Sequence, residues 1–187
     1  NLLSKSFTVS WVTEGQTTGF VNYGTAESLG TAASDKSTSP SSIHYAVVDN
    51  LKSQTAYYFK VGSGKNTFGT DAGSYKIKTG PALSSVPQTD IVFGTVNNSS
   101  GQSVSGAIVY VTLSGAGTLS GLTDNNGRWT IPLSIARTLN LSSYVSYNLK
   151  TEVLDILVQR NPGEITSAKV LTGSSRPVPA IILGKNH

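Results

Sequence analysis

The stretch from Leu51 to Val61 restricts the fold more than any other part of this sequence, because it reads as a turn followed by a strand. Within it Tyr57, Phe59 and Val61 fall on one face, as alternation along a strand requires. A Leu, then a Thr four residues later, then a Tyr is the pattern of a tyrosine corner. In that motif the ring packs inside a Greek-key sandwich and its hydroxyl bonds back to the preceding loop. We therefore predict an antiparallel β-sandwich in which Leu51, Tyr57 and Phe59 are structural residues.

Composition agrees with an all-β protein. Only 13% of the residues are charged, against about 25% in an average soluble domain. Short apolar runs are separated by Ser, Thr, Asn and Gly, which is typical of strands joined by turns rather than of helices. A length of 187 residues suits one large or two small domains. Cysteine is absent, so the chain has no disulfide framework and no thiolate metal site.

Charge and hydropathy argue against two classes of partner. The net charge is +4, but the Lys and Arg residues are scattered. Lys76 and Lys78 alternate with Tyr75 and Ile77, as on the solvent face of a sheet, whereas nucleic-acid binding needs a concentrated basic stripe with stacking aromatics. No segment approaches the roughly 20 apolar residues of a membrane span. We predict no nucleic-acid partner and no membrane span in this chain.

Strand signals recur through the first half with the spacing of a sandwich. They cover Phe7–Trp11, Gly19–Tyr23, Ile43–Val48, Tyr57–Val61 and Tyr75–Lys78. Phe7, Val9 and Trp11 share one face, which predicts that Trp11 is a structural residue. The polar segments 32–42 and 64–73 read as loops.

Four pieces of this half together resemble a fibronectin type III domain: Ser6–Thr13, Val21–Gly24, His44 and Leu51–Val61. The resemblance is closest to the variety found as the N-terminal domain of purple acid phosphatases and in bacterial surface proteins. It covers residues 1–79 and implies an accessory sandwich. The metal-binding catalytic domain that follows in the phosphatases has no counterpart in this sequence.

The start of the chain departs from that family. Such domains usually begin with an edge strand, but only six residues precede Phe7. We therefore expect the first sheet to lack its edge strand, leaving an exposed row of backbone donors and acceptors beside Phe7, Val9 and Trp11. Two explanations are open. The chain was cut at a processing boundary, or another chain supplies the strand, as in donor-strand complementation.

A linker separates the two halves. Gly80–Gln88 has Pro81 and Pro87 near its ends and no periodicity, which is typical of a semi-stiff connection. We predict a first domain over residues 1–79, a linker over 80–88 and a second domain over 89–187.

Three segments of the second half follow one another in the order of a known family, namely Ile91–Val96, Val104–Val111 and Thr123–Ile131. In this order they resemble the carboxypeptidase regulatory-like family of transthyretin-like β-sandwiches. The resemblance implies a second sandwich with Trp129 as a structural residue. Beyond Leu133 the match is looser. Segment 134–148 reads as irregular, 153–159 as a buried strand and 177–183 as a closing strand, which its two prolines would place at an edge.

Catalytic chemistry has little support in the sequence. One histidine, His187, is the last residue, and the other, His44, has apolar neighbours in both phases of its strand, as a packed histidine does. Glu152 and Asp155 are three apart on a strand and face opposite sides. Asp124–Gly127 reads as a tight turn, since the alternating oxygen ligands of a calcium loop do not follow it. We predict that the chain is not an enzyme and has no catalytic residues, no metal site and no cofactor.

Tyr144 and Tyr147 lie in the irregular segment and allow two interpretations. They face a ligand as a sugar-binding platform, or they pin the segment to the sandwich.

For the whole chain we predict two tandem all-β sandwiches forming a non-catalytic structural or adhesive module. The parent protein would be a secreted or cell-surface prokaryotic protein, with an extracellular location. The partners would be other copies of the chain, other surface proteins, or glycans. In its sharper form the chain is a filament subunit assembled by strand donation, with residues 1–3 or 178–183 as the donor. The alternative is a carbohydrate-binding or spacer module of a secreted enzyme.

Overall fold

The computed structural model describes residues 1–85 and 87–185, so that His187 lies outside the described residues. Its regular structure consists almost entirely of β-strands, which confirms the predicted all-β fold class. The chain forms two compact units, Asn1–Leu83 and Ser84–His187. The division falls inside the segment predicted as a linker. No helix in the described ranges is long and apolar enough to cross a membrane.

The first unit has the layers of a sandwich. Its strands are β1 (Phe7–Thr17), β2 (Gly19–Gly24), β3 (Thr31–Ser34), β4 (Ser41–Val48), β5 (Ala56–Ser63), β6 (Asn66–Phe68) and β7 (Tyr75–Lys78). Among the described residues β1 and β4 form a two-stranded antiparallel sheet. The other sheet has the order β3-β2-β5-β6, and β7 also pairs with β5.

The core of the first unit lies between these sheets. Val21, Ala46 and Val48 are fully buried, and Phe7 is 1% exposed. At one end of the core the Tyr57 hydroxyl accepts a hydrogen bond from the Lys52 backbone N–H at 2.9 Å, while the Tyr57 ring is buried. This is the geometry of a tyrosine corner, and it fixes the loop before β5 to the strand that follows it.

Several strands of the first unit extend beyond the predicted segments. β1 continues to Thr17, β6 lies within a segment that reads as a loop, and so does β3 apart from its first residue. The cause is tertiary pairing, because Thr31–Ser34 forms a ladder with β2 and Asn66–Phe68 forms one with β5. Polar residues adopt strand conformation there because a neighbouring strand satisfies their backbone groups.

The second unit also stacks two sheets. Its strands are β8 (Ile91–Asn97), β9 (Ile108–Thr112), β10 (Leu119–Leu122), β11 (Arg128–Pro132), β12 (Val153–Asn161), β13 (Glu164–Leu171) and β14 (Ile181–Ile182). One sheet has the order β10-β9-β12-β13 and the other β11-β8-β14, with β14 parallel to β8. Short 3-10 turns cover Leu133–Ile135 and Thr172–Ser174.

The core of the second unit forms because one face of each sheet is apolar. Val92, Val96, Trp129 and Ile131 come from one sheet and are at most 2% exposed. Residues of the other sheet that meet them are Val109, Val111, Leu154, Ile156 and Val158. Gly94 lies beneath the Trp129 ring, since a Cβ at Gly94 would stand 3.1 Å from Trp129 Cζ2.

The structure corrects three expectations for the second unit. β10 and β13 are strands that the sequence did not predict, and the closing strand is only Ile181–Ile182. β12 is buried on one face only, since Val153 and Leu157 are exposed whereas Leu154 is fully buried. The closing strand is short because Pro177 and Pro179 precede it, and proline cannot donate to a ladder.

Candidate functional site

The candidate site is the outer edge of β1 in the first unit. On one side β1 pairs with β4, with Phe7 opposite Val48. On the other side Leu2 forms an isolated bridge to Phe7, and the Thr8 N–H donates to the Asn1 carbonyl at 2.8 Å. Within residues 1–85 and 87–185 no further strand pairs along this side. β1 is therefore an edge strand beyond its first two residues.

The pairing with β4 shows which backbone groups point to this edge. Tyr45 lies opposite Ser10, and the Tyr45 N–H donates to Asp35 Oδ1 at 3.0 Å, away from β1. The pair Ser10–Tyr45 is therefore a non-hydrogen-bonded pair of the antiparallel ladder. Because pair types alternate, Val12 has the same orientation. The N–H and C=O of Val12 thus face the outer edge, while those of Val9 face β4.

Apolar side chains lie beside this edge. Val9 and Trp11 are half-buried and pack against the core. On the facing sheet Tyr75 is 37% exposed and Phe68 is 51% exposed. Tyr75 pairs with Phe59 and Phe68 pairs with Val61, and both of these β5 residues face the core. Because directly opposed residues point to the same face of a sheet, Tyr75 and Phe68 lie on the core face as well.

The geometry of the two sheets explains this exposure. The sheet of β1 and β4 is narrower than the sheet that it faces. β4 packs nearest to β2 and β3, so that the outer edge of β1 lies toward β6 and β7. A strand added along β1 would extend the narrow sheet over Phe68 and Tyr75. We call these elements, the outer edge of β1 with Val9, Trp11, Phe68 and Tyr75, the β1 acceptor edge.

A buried polar network lies behind the same strand. His44 is fully buried, and its Nδ1 lies 2.7 Å from Asp35 Oδ2. Its Nε2 lies 3.1 Å from Thr13 Oγ1 and 3.3 Å from Thr17 Oγ1. The Thr17 hydroxyl continues the chain to Ser63 Oγ at 2.6 Å. The imidazole also stacks on Trp11 with ring centroids 4.9 Å apart. A Cβ at the neighbouring Gly19 would stand 2.5 Å from His44 Nδ1, so glycine makes room for the pair.

The order carboxylate, imidazole, hydroxyl is that of a nucleophilic triad. A general base must, however, reach the proton of a bound substrate within about 3 Å or through one water molecule. The His44 ring has no exposed surface, and the side chain of Asp35 is 4% exposed. The network therefore ties β1, β4 and β5 together and gives a substrate no access to the imidazole.

The two aromatic residues that the sequence allows either to face a ligand or to pin the irregular segment lie in the second unit. The Tyr147 hydroxyl donates to Asp90 Oδ2 at 2.6 Å, and its ring packs against the core. Burial, followed by this hydrogen bond to Asp90, raises the pKa of Tyr147. Tyr144 is half-buried and lies against the Arg137 guanidinium at 4.6 Å from the ring centroid. Both contacts hold the irregular segment against the sandwich. A role in ligand binding stays a prediction.

Residues that might hold a metal are not assembled in the described ranges, where no group of three or more His, Asp or Glu side chains comes together. In the turn that invited a calcium interpretation, Asp124 Oδ1 accepts hydrogen bonds from the N–H groups of Asn126 at 2.8 Å and Arg128 at 2.9 Å. Gly127 has φ +70°. The Asp124 carboxylate stabilises the turn itself.

The comparison with protein families concerns the first unit. Residues 1–79 match the family model described as purple acid phosphatase, N-terminal domain. This match agrees with the predicted resemblance of residues 1–79 to the N-terminal domain of purple acid phosphatases. The match covers the acceptor edge and the tyrosine corner but less than half of the chain. The transthyretin-like assignment of the second unit stays a prediction.

Solved structures with detectable similarity include the fibronectin domains FN1–FN3 of chicken CNTN1. Its sequence is 12% identical to this one, and the superposition has a TM-score of 0.28. The match covers 100% of this chain and 64% of the CNTN1 chain. The adhesin InvE of Yersinia pseudotuberculosis is 12% identical over 90% of this chain and 48% of its own, with a TM-score of 0.23. The chain thus spans less than two thirds of each. Among curated proteins none matches the chain.

Proposed function

We propose that the chain is a non-catalytic structural or adhesive module of a secreted or cell-surface prokaryotic protein. In this proposal it joins copies of itself or other surface proteins into filaments by accepting a β-strand along the β1 acceptor edge. The observation that carries the proposal is the combination of an edge strand with an uncovered apolar core face, at Phe68 and Tyr75. The inaccessible His44 supports a non-catalytic role.

Strand addition matches the physical demands of this edge. An incoming strand would pair with outward backbone groups such as those of Val12, and its side chains would cover Val9 and Trp11 on the core side. Main-chain hydrogen bonds supply affinity in this binding mode, and pockets for alternate side chains supply specificity. We expect the incoming strand to carry apolar residues at every second position.

The two donor segments suggested by the sequence are engaged in the structure. Val178, Ile181 and Leu183 are at most 7% exposed and belong to the core of the second unit. Near the other terminus, the Leu3 carbonyl accepts from the Gly80 N–H at 3.0 Å and Asn1 bonds Thr8. Either donor would have to break native contacts. The proposal therefore takes the donor from a segment outside residues 1–3 and 178–183.

Substitution of Val12 by proline tests the acceptor edge. Proline removes one outward N–H, and it is tolerated on edge strands when the missing donor faces away from the ladder. We expect V12P to shift native assemblies toward monomers in sedimentation velocity, because strand addition loses a hydrogen bond and meets the pyrrolidine ring. The matched control V12T keeps the N–H and the side-chain shape, and should assemble like the wild type. Identical assembly of V12P and V12T would contradict strand acceptance at β1.

A specific surface favours the second candidate, a carbohydrate-binding or spacer module of a secreted enzyme. A depression of about 540 Å³ in the second unit is lined by Phe93, Thr95, Arg128 and Thr130 together with Pro177–Ala180. Phe93 is 40% exposed there and offers a ring face for a sugar. The family match of the first unit to an N-terminal domain of a phosphatase agrees with an accessory role. Saturable glycan binding that is lost in F93A would favour this candidate, as would an adjacent catalytic domain in the full-length gene.

A further inference from the structure

The second unit has an edge strand that differs from the other sheet ends of that unit. β13 (Glu164–Leu171) lies at the end of the order β10-β9-β12-β13, and in the described part of the chain its ladder partner is β12. It is eight residues long and contains no proline. The other end strands are shorter: β10 has four residues, β14 has two, and β11 has five and ends in Pro132. Short strands and prolines protect sheet edges from pairing, and β13 lacks both.

The outward side chains around β13 are unusually apolar. Ile165 is 49% exposed and Leu171 is 47% exposed, and on the adjacent β12 Val153 is 42% and Leu157 is 37% exposed. Val153 and Leu171 pair at one end of the last two strands, and Leu157 and Ile165 lie diagonally to each other toward the other end, with Lys169 and Asp155 between the two apolar pairs. Single scattered apolar residues on a surface would be ordinary. A charged residue also guards many sheet edges. Here Lys169 bonds Asp155 at 2.9 Å on the neighbouring strand, so its charge is balanced within the same chain.

We propose that β13 pairs antiparallel with β13 of a second copy of this chain, about a two-fold axis at Ala168. A two-fold contact is self-complementary, so the pattern of β13 must match its own reverse. With the axis at Ala168, Ile165 of each copy lies opposite Leu171 of the second copy, and Lys169 lies opposite a serine. With the axis one residue earlier, Ile165 would lie opposite Lys169, placing an apolar side chain against a charge. The apolar pairs select the register centred on Ala168.

This contact is distinct from strand acceptance at β1. Both copies keep their own sheets intact, no segment is donated, and the contact closes as a dimer without forming a chain of subunits. Each molecule would then have two kinds of intermolecular contact, the β13 pairing and strand acceptance at the β1 acceptor edge. The V12P background separates the two, because it weakens only the contact at β1.

The test is sedimentation equilibrium of the full chain carrying V12P, with charge pairs placed at the predicted register. In I165K/L171K each apolar pair becomes two facing lysines. We expect the dimer dissociation constant to rise by about tenfold or more, since each of two like-charge pairs opposes association. In I165K/L171E each new lysine faces a new glutamate of the second copy, and dimerisation should return toward the level of the parent.

The control L139K/L149K places two lysines at positions that are 75% and 60% exposed outside β13, and should leave the dimer unchanged. Far-UV circular dichroism confirms that each variant is folded. A V12P parent that stays monomeric at millimolar concentration overturns the proposal. An I165K/L171E variant that dimerises as weakly as I165K/L171K also overturns the proposal, because that result would show that residues 165 and 171 of the two copies do not face each other.

Discussion

Replacing His44 by alanine is expected to lower the free energy of unfolding of the first unit by about 3–5 kcal/mol, because it truncates a fully buried ring and removes the hydrogen-bond partner of a buried carboxyl group. The substitution leaves the Asp35 carboxylate, whose side chain is 4% exposed, without the imidazole that lies 2.7 Å from it. It also removes the ring that stacks on Trp11 and leaves a cavity in its place. Asp35 Oδ1 still accepts from Tyr45 and Ser37, so the loop keeps part of its anchorage.

Urea denaturation followed by tryptophan fluorescence measures this effect for each unit, because Trp11 lies in the first unit and Trp129 in the second. The Trp129 transition should stay at its wild-type midpoint. The double variant D35N/H44A should be less destabilised than the sum of its single variants, since the two side chains are in direct contact and the carboxyl group that H44A leaves without its partner is also replaced. A loss below about 1 kcal/mol in H44A would show that the pair adds little to stability.

Replacing Trp129 by alanine is expected to destabilise the second unit by about 3–5 kcal/mol, the range for truncation of a large buried aromatic residue. Trp129 is 2% exposed, its ring covers Gly94, and Val178 also lies against Gly94 in the same core. Neither Gly94 nor Val178 can refill this volume, because glycine has no side chain and the backbone of Val178 is bonded to Phe93 at 2.8 Å.

Differential scanning calorimetry checks this prediction without relying on the lost fluorophore. The transition of the second unit should move down, and that of the first unit should keep its temperature. F93A is the matched control, because Phe93 lies on the opposite face of the same sheet and is 40% exposed, and it should cost less than about 1 kcal/mol. Equal shifts in W129A and F93A would mean that the Trp129 ring is not the centre of this core.

The sequence predicted those strands whose own residues alternate between apolar and polar. Alternation in Leu51–Val61 is enough to indicate the turn and strand that place Tyr57 against Lys52. β13 gave no such signal, because its core-facing residues include Thr166 and Ala168, which are too polar or too small to mark an apolar face. β3 and β6 are strands because their neighbours pair with them, and pairing is a tertiary effect.

The candidate site shows the same division. Alternation predicted that Phe7, Val9 and Trp11 share one strand face, and in the structure Leu2 bridges Phe7 at the start of that strand. The exposure of Phe68 and Tyr75 depends on the unequal widths of the two sheets, which no local pattern encodes. Likewise, Asp35 lies in a segment that reads as a loop, and only the folded sheets bring it to His44.

The central claim is that β1 accepts a strand, and hydrogen–deuterium exchange at the Val12 amide of native material tests it most directly. The account predicts that exchange at Val12 slows by at least about tenfold in assembled samples relative to dispersed ones, because a new ladder bond protects this outward N–H. The Val9 amide faces β4 and should be protected equally in both. Unchanged exchange at Val12 in an assembled sample would contradict the account.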